Sequence, residues 1–506
     1  MDILFINSSS ALQAYQSLSE NFSAIEPPTW SLLLAESCRS KNFSVSILDC
    51  DAEKLSHFES LRRIEEINPK LLLFVVYGQN PNSGTINMSG ALSLANFIRE
   101  NNKKIKIAFV GSHTSALPYE VLRNDCVDII LVNEGVYALH NLLRSNLDDD
   151  LKKIKGIGYK VGKEKKTLIL NQPERIVPQH RMDIDLPGYA WDLLPYKKKP
   201  LDLYRAHFWH ANFSYEKRTP FAAIYTSLGC NFACNFCMIN IVNRVNHEDD
   251  IDASHFSGMR FWSPEWVSRE ISKLVKLDVR TLRISDEMFF LNRKFYEPIL
   301  IDIVSKNYDL NMWAYSRVDT VKERYLDLFK RAGVNWLALG IEAGNQTVRQ
   351  EVSKGSFKEI NIRDVCKKIN SSNINIISNY IFGFPEDNFD TMNETLDLAI
   401  ELNTEMANMY PCQALPGSPL YSDAKKNAIP LPESYEAFGF LSYECKPLPT
   451  KFLSSAEVLK FRDDAWIKYF TSTKYLKLVE SKFGISQREN VESMTKHKLK
   501  RKILGD

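Results

Sequence analysis

Cys230-Asn231-Phe232-Ala233-Cys234-Asn235-Phe236-Cys237 decides how the second half of this chain is read. Three thiols fall within eight residues, just after an apolar, strand-like run at 222–226. Thiolates so close together on one loop can converge on a single metal centre. A mononuclear zinc site takes four protein ligands, and no fourth Cys or His lies close by. Ferredoxin-type runs supply four cysteines. Three cysteines leave one iron of a cluster open to a chelating ligand.

Working outward, strand-like runs recur at 222–226, 281–285, 311–315, 336–342, 376–382 and 406–413, with helical segments between them such as 323–332 and 390–402. Successive βα units of this kind fit a partial (β/α)6 barrel, whose chemistry belongs at the C-terminal rim of the strands. The chain from 431 to 506 reads as mostly helical. The first 150 residues alternate strands (2–7, 45–49, 71–77, 105–111, 128–132) with helices (29–40, 85–100, 118–124, 136–145). That order predicts a Rossmann-like, doubly wound parallel sheet. Ligands bind such sheets at the C-terminal strand ends. Those ends carry Asn7-Ser8-Ser9-Ser10, Asp49-Cys50-Asp51, Gly78-Gln79-Asn80-Pro81, Gly111-Ser112-His113 and Asn133-Glu134-Gly135. Residues 151–220 are rich in Lys, Pro and aromatics. They read as a linker packed on both neighbours, with a hairpin near 156–170. The expected domains are thus 1–150, 151–220, 221–430 and 431–506.

Bulk properties narrow the partners. The 506 residues are too many for one core. A net charge of +2 gives no basic excess for nucleic acid. The basic run at 496–502 reads as a solvated tail. No stretch is long and apolar enough to span a membrane, and the start of the chain has no signal-peptide pattern. Nine cysteines without a framework spacing point to the cytoplasm rather than to disulfides.

CxxxCxxC with Phe236 before the last Cys resembles the signature of the radical S-adenosylmethionine superfamily. The resemblance implies a 4Fe–4S cluster on Cys230, Cys234 and Cys237, with S-adenosylmethionine chelating the open iron. An electron from a donor such as flavodoxin would then release a 5′-deoxyadenosyl radical. Further residues are similar to the family pattern in the same order. Ser285-Asp286-Glu287 stands where the family holds the methionine amino group; many relatives show two glycines and a glutamate there, so either carboxylate could be the contact, with Asp286 favoured. Arg317 matches an arginine reaching the cofactor carboxylate or ribose. Gly340-Ile341-Glu342-Ala343-Gly344 resembles the "GIExG" element, and Gly383-Phe384-Pro385-Glu386 the turn near the adenine. Pro416-Gly417-Ser418-Pro419-Leu420-Tyr421 resembles the "PGTPLY" segment.

The first half resembles the cobalamin-binding domain that precedes the barrel in one large radical subfamily. Gln79, Gly111, Glu134 and Gly135 occupy its motif positions, and the resemblance implies that they hold cobalamin. The Asp-x-His-x-x-Gly motif that supplies a cobalt ligand in mutases is missing, and His113 is not read as a substitute. A nicotinamide site is disfavoured, because Asn7-Ser8-Ser9-Ser10 replaces the G-x-G-x-x-G expected after the first strand. The implied function is methylation of an unactivated carbon of a small metabolite. The alternative keeps the cofactors for a radical cyclisation, ring contraction or rearrangement without methyl transfer. A non-catalytic binding protein is disfavoured by the intact cysteines. A methylthiotransferase is disfavoured by the wide spacing of Cys38, Cys50 and Cys126. The segment 204–210 and the residues Trp313 and Trp336 read as packing.

Overall fold

The β-branched and leucine-rich runs of the first half become strands that sit side by side. In a computed structural model of the chain, which describes residues 1–78, 81–147, 150–162, 166–196, 199–244, 252–353, 357 and 359–506, these are β1 (Ile3–Asn7), β2 (Val45–Asp49), β3 (Leu71–Val76), β4 (Lys106–Gly111) and β5 (Ile129–Leu131). They pair in parallel in the order β2-β1-β3-β4-β5. Every residue of β3 is buried, as expected for a central parallel strand covered on both faces by helices. One cover is the helix Thr29–Arg39, started by Pro27-Pro28; another is Gly84–Asn101. The expected hairpin forms as β6 (Ile157–Val161) and β7 (Thr167–Leu170) and adds two antiparallel strands to the β5 edge. The sheet therefore runs past the boundary at 150 that the sequence suggests.

The barrel half contains β8 (Phe221–Ile224), β9 (Ser227–Cys230), β10 (Gly258–Phe261), β11 (Thr281–Ile284), β12 (Asn311–Arg317), β13 (Val334–Glu342), β14 (Asn375–Phe382) and β15 (Met406–Pro411). Six of these form an all-parallel open sheet in the order β15-β14-β13-β12-β11-β8. Between them run amphipathic helices with side-chain caps, such as Pro264–Lys276 behind Ser263 and Phe389–Leu402 behind the Asn388 capping box. The remaining pair, β9 and β10, makes an antiparallel ribbon that the sequence did not foreshadow; it delivers Cys230 opposite Gly258.

The C-terminal region is helical over Ser455–Phe470, Thr473–Phe483 and Ile485–Thr495. In the basic run beyond it Lys496, Lys498, Lys500 and Lys502 are exposed, as in a solvated tail, but Arg501 anchors the segment. Arg501 is 1% exposed. Its guanidinium donates to Asp463 at 2.8 and 2.9 Å and to the Ser442 carbonyl at 2.8 Å. Gln16, near the start of the chain, donates to the Lys500 carbonyl and accepts from the Lys500 amide. The two ends of the chain thus lie together. Among the described residues no helix is long and apolar enough to cross a membrane.

Candidate active site

Each sheet ends its strands toward the other, and a cavity of about 1040 Å³ opens between them. One wall is the cysteine loop. The Asn240 side chain accepts from the Cys230 amide and donates to the Cys230 carbonyl, both at 3.0 Å. The Asn235 amide donates to Val352 O at 3.0 Å, and the Asn235 carbonyl accepts from the Leu420 amide at 2.9 Å. The loop is therefore pinned at both ends, and Cys230, Cys234 and Cys237 all face the cavity half-buried. Burial pushes the thiols up, Cys230 to about 11 and Cys234 to about 12. Among the described residues no three His, Cys, Asp or Glu side chains converge as the ligands of one ion would. Thiolates serving three corners of a cubane need not converge so closely.

Asp286 and Glu287 part company at the end of β11. Asp286, 1% exposed, accepts from the Thr226 amide, the Thr226 hydroxyl and the Ser227 hydroxyl, each at 2.6 Å. These bonds brace the link from β8 into β9, one strand upstream of the cysteines. The carboxylate favoured by the sequence is spent on Thr226 and Ser227 and does not line the cavity. Glu287 does line it, and its buried Oε1 has no hydrogen-bond partner among the described residues. Burial, then the charge of Asp286, push the Glu287 carboxyl up to about 8.

Arg317 closes β12 on the cavity wall. It is forked onto Asp319 at 2.6 and 2.7 Å, and its guanidinium lies 3.7 Å over the Phe232 ring of the cysteine loop. Glu342 ends β13 where the ladder to β14 slips register, with a φ of +66° that a residue bearing a Cβ seldom adopts. Such strain persists where the surroundings enforce it and collects at functional sites. Gly340 leaves room for this carboxylate, since a Cβ there would sit 2.5 Å from Glu342 Oε1. Burial raises the Glu342 carboxyl to about 7, against the pull of Arg317. Gly383 lies off the cavity; its amide and that of Phe384 donate to Asp387 at 3.0 and 2.9 Å.

The facing wall comes from the first sheet. Asn7, Ser8, Asp51, Tyr77, Gly78 and Asn87 line it, all at or beyond the ends of β1 to β3. Gln79 lies outside the described residues. Gly111 and Gly135 do not reach the cavity. Nor does Glu134, 3% exposed, which joins Arg260 of β10 at 2.8 Å and accepts from the Val177 amide. It ties the two halves together. His113 is buried with both ring nitrogens engaged, by Thr85 at 3.1 Å and Glu120 at 3.2 Å.

The sequence also missed part of the wall. His207, Trp209, His210 and Trp313 pack as expected, but they do so along the cavity. His210 lies over Trp313 with ring centroids 3.9 Å apart, and its ring nitrogens have no partner among the described residues. Trp336 is core, as read. Nothing in the spacing of 204–210 distinguishes a packed linker from a lining one.

The "Radical SAM superfamily" model matches residues 224–399, and the "B12 binding domain" model matches residues 17–143. Residues 224–399 are a radical SAM domain. Residues 17–143 before it are a B12-binding domain. An uncharacterized methyltransferase of Pyrococcus horikoshii is 24% identical over 456 residues, 89% of each chain. An anaerobic magnesium-protoporphyrin IX monomethyl ester cyclase of Rubrivivax gelatinosus is 23% identical over 462 residues, 88% of this chain and 72% of that one. The cobalamin-dependent S-adenosylmethionine radical enzyme OxsB, solved with aqua-cobalamin bound, shares the fold at a TM-score of 0.65 and 15% identity, over 98% of this chain and 72% of that one. A radical SAM domain calls for a 4Fe–4S cluster and S-adenosylmethionine, and a B12-binding domain for cobalamin. The residues suit them: three thiols on a pinned loop, a buried unpartnered carboxylate oxygen beside them, and small polar strand ends opposite.

Proposed function

We propose that this protein is a cobalamin-dependent radical S-adenosylmethionine methyltransferase that methylates an unactivated carbon of a small molecule. The observation that carries the reading is the single cavity, onto which both the three cysteines and the strand ends of the B12-binding domain open. When bound, the cluster and S-adenosylmethionine supply a carbon radical by reductive cleavage of a carbon–sulfur bond, and cobalamin supplies a methyl carrier.

The chain's own part is to bind, orient and shield. Cys230, Cys234 and Cys237 hold the cluster as thiolates. Glu287 is the residue proposed for the methionine amino group in place of Asp286, because its free oxygen faces the cavity. A cation placed against it returns the raised carboxyl to its ionised form. Arg317, held flat between Asp319 and Phe232, is oriented for a carboxylate or ribose oxygen. Glu342 supplies a second acceptor on the same rim. For cobalamin the cavity offers Ser8, Tyr77 and Gly78 in preference to Gly111, Glu134 and Gly135, which lie away from it. The aromatic wall of Trp209, His210 and Trp313 excludes water and leaves a neutral imidazole to meet the substrate, since burial lowers the His210 pKa well below its usual value.

The test is anaerobic incubation of cluster-reconstituted protein with S-adenosylmethionine, hydroxocobalamin and a strong reductant, beside Cys234→Ala as control. S-adenosylhomocysteine and 5′-deoxyadenosine formed together support the methyltransferase. Deoxyadenosine alone, lost in the variant, moves the reading to the cyclisation or rearrangement that the cyclase relative favours. Neither product from the wild type refutes both.

A further inference from the structure

One contact crosses from the B12-binding domain to the cysteine loop and belongs to no motif. Asn82 lies in the short 3-10 turn Pro81–Ser83, after β3. Its Oδ1 accepts from the Met238 amide at 3.1 Å. That bond fixes which way the amide faces, because a backbone N–H can only donate. Nδ2 is then turned to the Cys237 sulfur, 3.8 Å away. The sulfur also lies 4.0 Å from Oδ1, but a metal-bound thiolate has no proton to give, so the Nδ2–H bond is the one that survives ligation.

The turn carrying Asn82 is itself locked. The Ser112 hydroxyl donates to the Pro81 carbonyl at 2.6 Å. The next helix starts at Gly84, where a Cβ would lie 2.0 Å from Ser112 Oγ. The donor is thus held from the loops after β3 and β4, while its acceptor is held by the barrel.

We propose that Asn82 is a positioning residue of the cluster: it donates a hydrogen bond from the B12-binding domain to the Cys237 thiolate and so raises the cluster's reduction potential. The inference rests on the reading of the three cysteines as cluster ligands given above. Reduction adds negative charge to the cluster, and a donor at sulfur stabilises the charged form more than the oxidised one. Partners of this outer kind tune a metal site without ligating it. Asn82 acts through Cys237 and touches neither substrate nor the reacting carbon.

The full-length chain is reconstituted with iron and sulfide in the absence of S-adenosylmethionine and cobalamin, and its midpoint potential is read by an EPR-monitored redox titration. Asn82→Leu keeps the volume and removes the donor. It is expected to take up iron as the wild type does and to show about a tenfold lower reduced-to-oxidised ratio at a given potential, about 59 mV for one electron. Asn82→Asp keeps the acceptor for Met238, removes the donor and adds a charge, so its midpoint falls at least as far. An unchanged midpoint in Asn82→Leu overturns the proposal. If that variant holds no cluster, an unchanged midpoint in Asn82→Asp does so instead. A wild type that binds no four-iron cluster would remove the cluster reading and this inference with it, whereas an unmoved midpoint removes the inference alone.

Discussion

Asp286→Ala separates a brace from a cofactor contact. The substitution removes an acceptor of three hydrogen bonds from a site that is 1% exposed. The Thr226 amide is left without a partner, at a cost of about 1–3 kcal/mol, and the two hydroxyls each lose a bond worth about 1 kcal/mol. The sum is about 3–5 kcal/mol. At about 2–4 °C per kcal/mol for a domain of this size, the barrel should melt about 6–20 °C lower. The assay is an anaerobic thermal melt of reconstituted protein, paired with S-adenosylmethionine binding below the melting range. Glu287→Gln is the counterpart. It neutralises a half-buried carboxylate whose Oε1 has no hydrogen-bond partner among the described residues, so the melt should stay level or rise while S-adenosylmethionine binding weakens. If Asp286→Ala melts within about 2 °C of wild type yet fails to bind S-adenosylmethionine, Asp286 is the contact and the assignment to Glu287 is wrong.

Three further outcomes follow from the same geometry. Glu134→Ala leaves buried Arg260 without its counter-ion, bonded only to the Val177 carbonyl and Asn243 among the described residues, which costs about 3–5 kcal/mol; the melt should fall while cobalamin affinity, measured by absorbance titration, holds. Arg501→Ala frees the C-terminal segment from Asp463 and Ser442, and limited proteolysis should then clip the chain near residues 496–506, which the wild type protects. Glu287 has a folded pKa of about 8, above its unfolded value of 4.5, so the folded state holds more protons between those limits. The cofactor-free protein should therefore lose stability as pH rises from about 5 to about 8, and a flatter profile for Glu287→Gln in urea titrations would confirm the source; an identical slope would exclude it.

Strand positions were largely legible because they depend on local periodicity. The runs at 45–49 and 336–342 reappear as β2 and within β13. The β9–β10 ribbon was not legible, since its pairing is set by Cys230 meeting Gly258 across a connection of more than twenty residues. The cysteines could be read from their spacing, and the order of the rim residues from the resemblance to a family pattern. The difference between Asp286 and Glu287 could not, because adjacent residues at a strand end point in opposite directions and only the neighbours decide which direction is the cavity.

Two α/β halves and three thiols on the loop after the first barrel strand can be read without the fold. These follow from patterns within a few residues of one another, where side-chain period and covalent spacing leave little freedom. It takes the folded chain to fix which strand ends of the first sheet face the cysteines, that 204–210 forms a wall, that the basic tail returns to Gln16, and that Asn82 meets Cys237. Each of those joins residues more than a hundred positions apart. Their partners are chosen by burial and hydrogen-bond satisfaction across the whole fold, which no local pattern records.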